Sequence, residues 1–227
     1  RLAKAFLLVD ELPFEQRYRR YMQVFDAAER TALLQGGEPA HFNDCLADAF
    51  RDTPAGDSLR RLMEVDFATQ LPDDLLLLTD KMSMAVSLEC RVPLLDQRLV
   101  DLAARIPESL KLHGGQLKYL MKRALAGILP DDILQRAKRG FGAPMGAWLR
   151  AELAPLLHDV LSPESIARRG LLDPQAVAQT IRRHERLQDD QTDQLLSLIN
   201  LEIWCRLYLD GRSVGDVAEE LQRTLAA

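Results

Sequence analysis

Apolar residues recur along this chain at spacings of three and four and seldom alternate, so the pattern predicts helix throughout and no strand. Phe14 to Val24 and Ala27 to Leu34 read as a helix pair. Asp26 caps the second of them, with Glu29 three positions later in capping-box register. Gly36, Gly37 and Pro39 break the pattern, after which helices are predicted from Asn43 to about Arg51 and from Asp57 or Ser58 to Leu71. Pro72 starts the next, with Asp73 and Asp74 in its first turn. The run Leu75 to Glu89 then ends at an extended step, Arg91-Val92-Pro93, because a proline pushes the residue before it out of the helical region. Further helices are predicted at Leu95 to Ile106, Gln116 to Ala126, Asp131 to Gln135, Ala151 to Leu161, Asp173 to Leu187, Thr192 to Leu209 and Ser213 to Leu225. Ser162-Pro163 and Asp173-Pro174 read as helix starts, and His113-Gly114-Gly115 reads as a turn.

Composition narrows the classes of function. The 227 residues carry 29 basic and 34 acidic side chains, a net charge of −5, which argues against the general polyanion surface that nucleic acid requires. Cys45, Cys90 and Cys205 are far apart, so neither a disulfide framework nor a zinc site is indicated, and a reducing cytoplasm fits best. No apolar run reaches membrane-spanning length and no secretory leader pattern is present, so a soluble, unexported protein without membrane partners is expected. The four histidines are scattered, no metal site is expected, and no phosphate-binding glycine motif of the P-loop or dinucleotide type occurs. The chain opens on Arg1 and enters helical pattern almost at once, as a fragment or processed product would.

Two blocks hold polar residues that a bland core does not explain: Asp80 to Asp96, DKMSMAVSLECRVPLLD, and Ala137 to Pro144, AKRGFGAP. On a helix, Thr79, Asp80, Ser83 and Ser87 gather on one polar arc, whereas Lys81 projects among Leu77, Leu78, Met84, Ala85 and Leu88 on the arc expected to be buried. An unpaired ammonium there needs an anion or a route to water, so Lys81 is either aimed at a phosphate or carboxylate, or snorkels, or is internally paired. Glu89 and Arg91 flank Cys90 where the helix breaks. The arginine fork either grips an anionic ligand or bridges to Glu89 or Asp96 to pin the turn. Cys90 reads as a small buried packing residue rather than a nucleophile.

In the second block, Lys138 and Arg139 precede Gly140 and Gly142 on a backbone able to approach a ligand closely. A lysine so delivered could neutralise charge on a phosphorus centre and its pyrophosphate leaving group; a glycine-ended helix with basic residues in its last turn is the alternative. Lys118 and Lys122, four apart on a predicted helix, read as a solvated face, as does the charged patch Arg182 to Asp190.

The two blocks, together with LKYLMKRAL and the later segment LLSLINLEIWCRLYLDG from Leu195 to Gly211, resemble the ATP-dependent synthetase domain of asparagine synthetases, most closely from Leu71 to about Leu149. The resemblance implies a carboxylate, typically the aspartate side chain, activated by ATP with Mg2+ to an acyl-adenylate and pyrophosphate, and ammonia displacing AMP. It matches Lys138 to the lysine that contacts pyrophosphate, and Lys81, Glu89 and Arg91, with Arg139 and Gly140, to the same cleft. The family's Ser-Gly-Gly-x-Asp-Ser loop, its Gly-Asp-Glu motif and the glutaminase's N-terminal cysteine do not occur here. The chain is therefore expected to be the mainly α, helical C-terminal portion of an ATP-pyrophosphatase-type domain, with the parallel sheet and the glutaminase upstream of Arg1. Residues 1–70 would be a helical lead-in, 71–150 the cleft-lining motifs and 151–227 the closing helices. Such a fragment is expected to be inactive alone and to hold no tight cofactor. Another carboxylate acceptor and a noncatalytic helical interaction module are the alternatives, and homodimerisation is left open.

Overall fold

The computed structural model describes residues 12–37, 44–53, 58–137 and 142–226. It is mainly helical. In chain order the helices are α1 (Phe14–Met22), α2 (Ala27–Leu33), α3 (Cys45–Asp52), α4 (Ser58–Ala68), α5 (Leu77–Met84), α6 (Gln97–Arg105), α7 (Glu108–Lys111), α8 (Tyr119–Ala124), α9 (Asp131–Gln135), α10 (Met145–Arg150), α11 (Ala154–Val160), α12 (Pro163–Arg169), α13 (Pro174–Glu185), α14 (Thr192–Tyr208) and α15 (Val214–Ala226). A two-residue antiparallel hairpin, β1 (Leu112–His113) and β2 (Gln116–Leu117), is the sheet among the described residues. It turns on Gly114 and Gly115, both at positive φ, as a tight hairpin turn demands.

The chain divides into two compact units. One comprises Arg1–Val9, Arg20–Phe42 and Gly140–Ala227, the other Asp10–Arg19 and Asn43–Arg139.

In the first unit the starts of α2, α12 and α13 are fixed by their own sequence. Asp26 accepts from the Glu29 amide at 2.8 Å while Glu29 accepts from the Asp26 amide at 2.9 Å, which closes the capping box. Ser162 and Asp173 cap α12 and α13, each followed by a proline whose missing N–H costs nothing at that position. The end of α2 is tied to the α12–α13 link by backbone bonds from Gln35 N–H to Leu171 O (3.0 Å) and from Asp173 N–H to Leu33 O (2.8 Å). The core is an apolar cluster that includes Leu149, Leu157, Val160, Val177, Leu195 and Leu198.

The second unit is built around Phe50, which receives the edges of Phe14 and Tyr18 at ring separations of 6.4 and 5.4 Å. Arg61 lies over the same ring at 5.3 Å and donates to the Phe50 carbonyl (2.7 Å) and to Glu15 (2.6 Å). The Tyr18 hydroxyl donates to Asp66; burial, reinforced by that carboxylate, pushes the phenol well above its ordinary range.

Three expectations are corrected here. Pro72 does not open a separate helix: residues Leu71–Leu76 form a wide π turn that carries α4 into α5, the kind of backbone adjustment that accommodates a helical proline. The run expected to reach Glu89 stops at Met84. Ser87 adopts φ 58°, with bonds from Leu88 N–H to Ser83 O (2.9 Å) and from Ser87 N–H to Met84 O (3.0 Å), a Schellman closure made by serine where glycine is usual. Lys118 does not share a helix with Lys122, because it sits at φ 58° as the residue before α8.

Candidate functional site

Lys81 occupies the last turn of α5, where a cation favourably faces the negative end of the helix. It is exposed and makes no ion pair with any described residue. The expectation that its arc is buried is wrong: Leu77, Leu78 and Met84 are 50, 55 and 53% exposed. Helical geometry correctly identified an apolar arc, but no described residue covers it. Lys81 therefore reaches water directly and needs neither snorkelling nor an internal partner.

Beyond the Schellman turn the chain is extended. Glu89 and Arg91 pair with each other at 2.8 Å, both exposed, which matches the bridging reading of those residues. Cys90 is exposed, contrary to the expected packing role, since the backbone around it has left the helix. Asp96, the other acceptor considered for Arg91, is taken by Arg98, whose Nε and Nη2 reach its two oxygens at 3.0 and 3.1 Å. Those side-chain bonds, with the Arg98 amide, hold the Asp96 carboxyl below the usual range. Lys138, Arg139 and Gly140 lie outside the described residues. The block re-enters at Gly142 and runs through Ala143 and Pro144 into α10.

Two polar constellations were not anticipated. The first is a charged cluster inside the first unit. Glu202 on α14, 3% exposed, accepts from Arg169 Nε (3.1 Å) and Nη2 (3.2 Å), Arg206 Nε (3.2 Å) and Ser165 Oγ (3.3 Å). Arg169 also forks onto Asp210 at 2.7 and 2.8 Å, which together with Glu202 raises its guanidinium pKa further. Arg206 continues to Glu220, which Arg212 also holds; the Arg212 bond above all keeps the Glu220 carboxyl below its ordinary value. Glu202 and Arg206 were visible as an i, i+4 pair in an apolar helix, while Arg169 lies 33 positions from Glu202 and gave no signal. Burial pushes up the pKa of the Cys205 thiol beside this cluster.

The second constellation surrounds His184, which is fully buried at the end of α13. Its Nε2 lies 3.0 Å from the Gly146 carbonyl and 3.1 Å from Arg150 Nη1, and its Nδ1 receives the Gln191 amide at 3.2 Å.

A cavity of about 100 Å3 in the first unit, lined by Phe25, Glu29, Ala32, Gln179, Thr180 and Arg183 among others, is well below the ~300–1,000 Å3 typical of pockets that enclose a cofactor-sized ligand. Among the described residues no three His, Cys, Asp or Glu side chains are grouped to hold a metal ion, and no helix is long and apolar enough to cross a membrane.

Comparison with known proteins gives a consistent picture. The family model described as asparagine synthase matches residues 2–206. Asparagine synthetase [glutamine-hydrolyzing] 1 of Bacillus subtilis is 29% identical over 201 residues, 88% of this chain and 32% of that protein. The putative asparagine synthetase [glutamine-hydrolyzing] of Mycobacterium tuberculosis is 30% identical over 218 residues, 95% of this chain and 33% of that protein. Asparagine synthetase [glutamine-hydrolyzing] 3 of Bacillus subtilis is 52% identical over a shorter stretch of 59 residues, 26% of this chain and 10% of that protein. The chain thus spans about a third of the length of the first two relatives. No solved structure matches it significantly.

Proposed function

The chain belongs to the asparagine synthase family, and from that premise we propose that it is the helical C-terminal part of a glutamine-dependent amidotransferase that makes asparagine. The observation that carries this reading is the alignment, over 88 to 95% of this chain, with proteins named glutamine-hydrolysing asparagine synthetases. In the proposed reaction an aspartate side-chain oxygen attacks the α-phosphorus of ATP, the bond to the β-phosphate oxygen breaks and pyrophosphate leaves with that electron pair. Ammonia from glutamine then attacks the acyl carbon, AMP departs with the electron pair of the bond to the acyl carbon, and the nitrogen loses one proton to give the amide.

Lys138 is assigned to the pyrophosphate, where its charge counts most as the leaving group develops. Arg139 and Gly140 flank it in the block. Lys81, exposed and without an acidic partner among the described residues, is assigned to the same cleft, and the paired Glu89 and Arg91 to its organisation. Residues 71–150 supply the cleft-lining motifs, with 1–70 leading in and 151–227 closing the helical part.

The partner of this part is the remainder of the enzyme, its sheet half and its glutaminase. In support, the second unit exposes Leu75, Leu78, Met82, Leu88 and Leu94, each more than half accessible, and large apolar side chains left in water are what an interface would cover. The isolated 227-residue chain is accordingly inactive. The test is glutamine-dependent AMP and pyrophosphate formation by the full-length gene product, with aspartate and with other acids. Lys138→Ala should abolish adenylation while leaving the fold intact. Unchanged pyrophosphate release in that variant, or aspartate-dependent release by the isolated chain, would overturn the reading.

A further inference from the structure

We propose that the cavity between α2 and α13, within the first unit, binds a small free α-amino acid, its ammonium held by Glu29, its carboxylate by Arg183 and its polar side chain by Gln191. The inference goes beyond the function proposed above and does not depend on it. One wall of the cavity is the start of α2. The capping box takes Glu29 Oε2, 2.9 Å from the Asp26 amide, and leaves Oε1 without a hydrogen bond among the described residues. The other wall is α13, where Ala176, Gln179, Thr180 and Arg183 recur three or four apart on one face. Arg183 gives Nε and Nη2 to Asp189, at 3.0 and 2.5 Å, and keeps Nη1 free to donate. The charged patch read from the sequence as a solvated face thus sets one guanidinium at the border of a cavity.

Gln191 carries the argument furthest. It is 6% exposed and borders the same cavity. Its backbone is fixed by donation from its amide to His184 Nδ1 at 3.2 Å, yet its side-chain carboxamide makes no hydrogen bond with any described residue. Buried polar side chains are normally paired, so a carboxamide held in this way takes its partner from the cavity. Phe25, Leu33 and Ala176 complete the lining with apolar surface.

Size and charge select the ligand. One water needs about 10–15 Å3 of such a cavity, so about 100 Å3 admits roughly seven to ten non-hydrogen atoms, the size of a free amino acid with a short side chain. A nucleotide is too large. A simple inorganic ion would answer only one of the two opposite charges, whereas a zwitterion answers both. That Arg183 already holds Asp189 is no obstacle, because Arg169 in the same unit serves two carboxylates, Glu202 and Asp210, with one guanidinium.

The test is hydrogen exchange in the full-length gene product titrated with L-asparagine, whose carboxamide can both donate to and accept from that of Gln191. Exchange should slow across residues 25–33 and α13, and the dose dependence of that protection gives a dissociation constant for this cavity alone. Glu29→Gln keeps the capping acceptor but loses the charge, Arg183→Gln loses the opposite charge, and Gln191→Leu keeps the volume but loses the carboxamide. Each should weaken the constant about 10-fold, the worth of one such hydrogen bond. Two analogues make the same point in the unaltered protein, whatever the variants do to folding. Succinamate, which lacks the ammonium, and L-asparagine methyl ester, whose carboxylate is blocked, should each bind about 10-fold more weakly or worse. If L-asparagine leaves exchange in both segments unchanged, the cavity holds water alone and the inference is overturned. Protection that persists undiminished in all three variants, or that succinamate reproduces at equal concentration, overturns it as well. The readout is binding within the first unit, so failure here leaves the function proposed above untouched, and active Lys138→Ala would leave this inference untouched in turn.

Discussion

Removing Glu202 should unfold the first unit's charge cluster from its centre. The carboxylate is nearly inaccessible and receives hydrogen from two guanidinium groups and a serine. Breaking a buried pair by deleting one partner typically costs about 3–5 kcal/mol, because the remaining charge stays buried without compensation. Here each arginine keeps a second carboxylate, Arg169 with Asp210 at 2.7 Å and Arg206 with Glu220 at 3.1 Å. That places Glu202→Ala toward the lower end, about 3 kcal/mol, or roughly 10–15 °C in melting temperature for a cooperative unit of this size. The assay is urea unfolding followed by circular dichroism, with an unchanged slope showing that the compactness of the end states is preserved. A companion double replacement, Glu202→Leu with Arg206→Met, removes both charges and supplies apolar volume, so it should cost less than the single alanine variant. If Glu202→Ala cost under about 1 kcal/mol, the outer pairs alone would hold both arginines and the view of Glu202 as the centre would be refuted.

Two further outcomes follow from the same structure. The Glu220 carboxyl sits below its ordinary value of 4.5, so its contribution to stability is present above that pH and is lost as pH falls through the depressed folded value. Arg212→Met removes the principal cause, and the acid limb of the urea midpoint against pH should move upward toward pH 4.5; an unmoved limb would show that Arg212 is not that cause. At the end of α5, Ser87→Gly should raise stability by about 0.5–1 kcal/mol, since serine pays for φ 58° where glycine does not, and Ser87→Val should lower it; equal midpoints for the two would refute the strain argument.

The features legible in the sequence were those whose causes are local. Asp26 with Glu29, Ser162 and Asp173 each bond a backbone amide within three residues, so their helix starts could be placed without any tertiary information. The burial of Lys81 was misjudged for the opposite reason: periodicity reports which arc is apolar, not what covers it. The end of α5 was misplaced because its closure uses a serine in a conformation that normally advertises itself with glycine. Of the candidate site, the Glu89–Arg91 bridge was readable because its partners are two residues apart, whereas Lys138 drew its proposed role from resemblance. His184 offered no sequence signal, since its partners Gly146 and Gln191 approach it from separate helices.

The uneven distribution of buried side chains has a consequence for how this chain stores its folding energy. Leu149, Leu157, Val160 and Leu195 are wholly sealed in the first unit, while the second keeps Leu75, Leu78 and Met82 at its surface. The heat-capacity change of unfolding scales with the apolar area newly wetted, and residues already in contact with water contribute little to it. The first unit is therefore the calorimetric body of the molecule. The second, with fewer sealed apolar side chains, contributes the smaller share of that change.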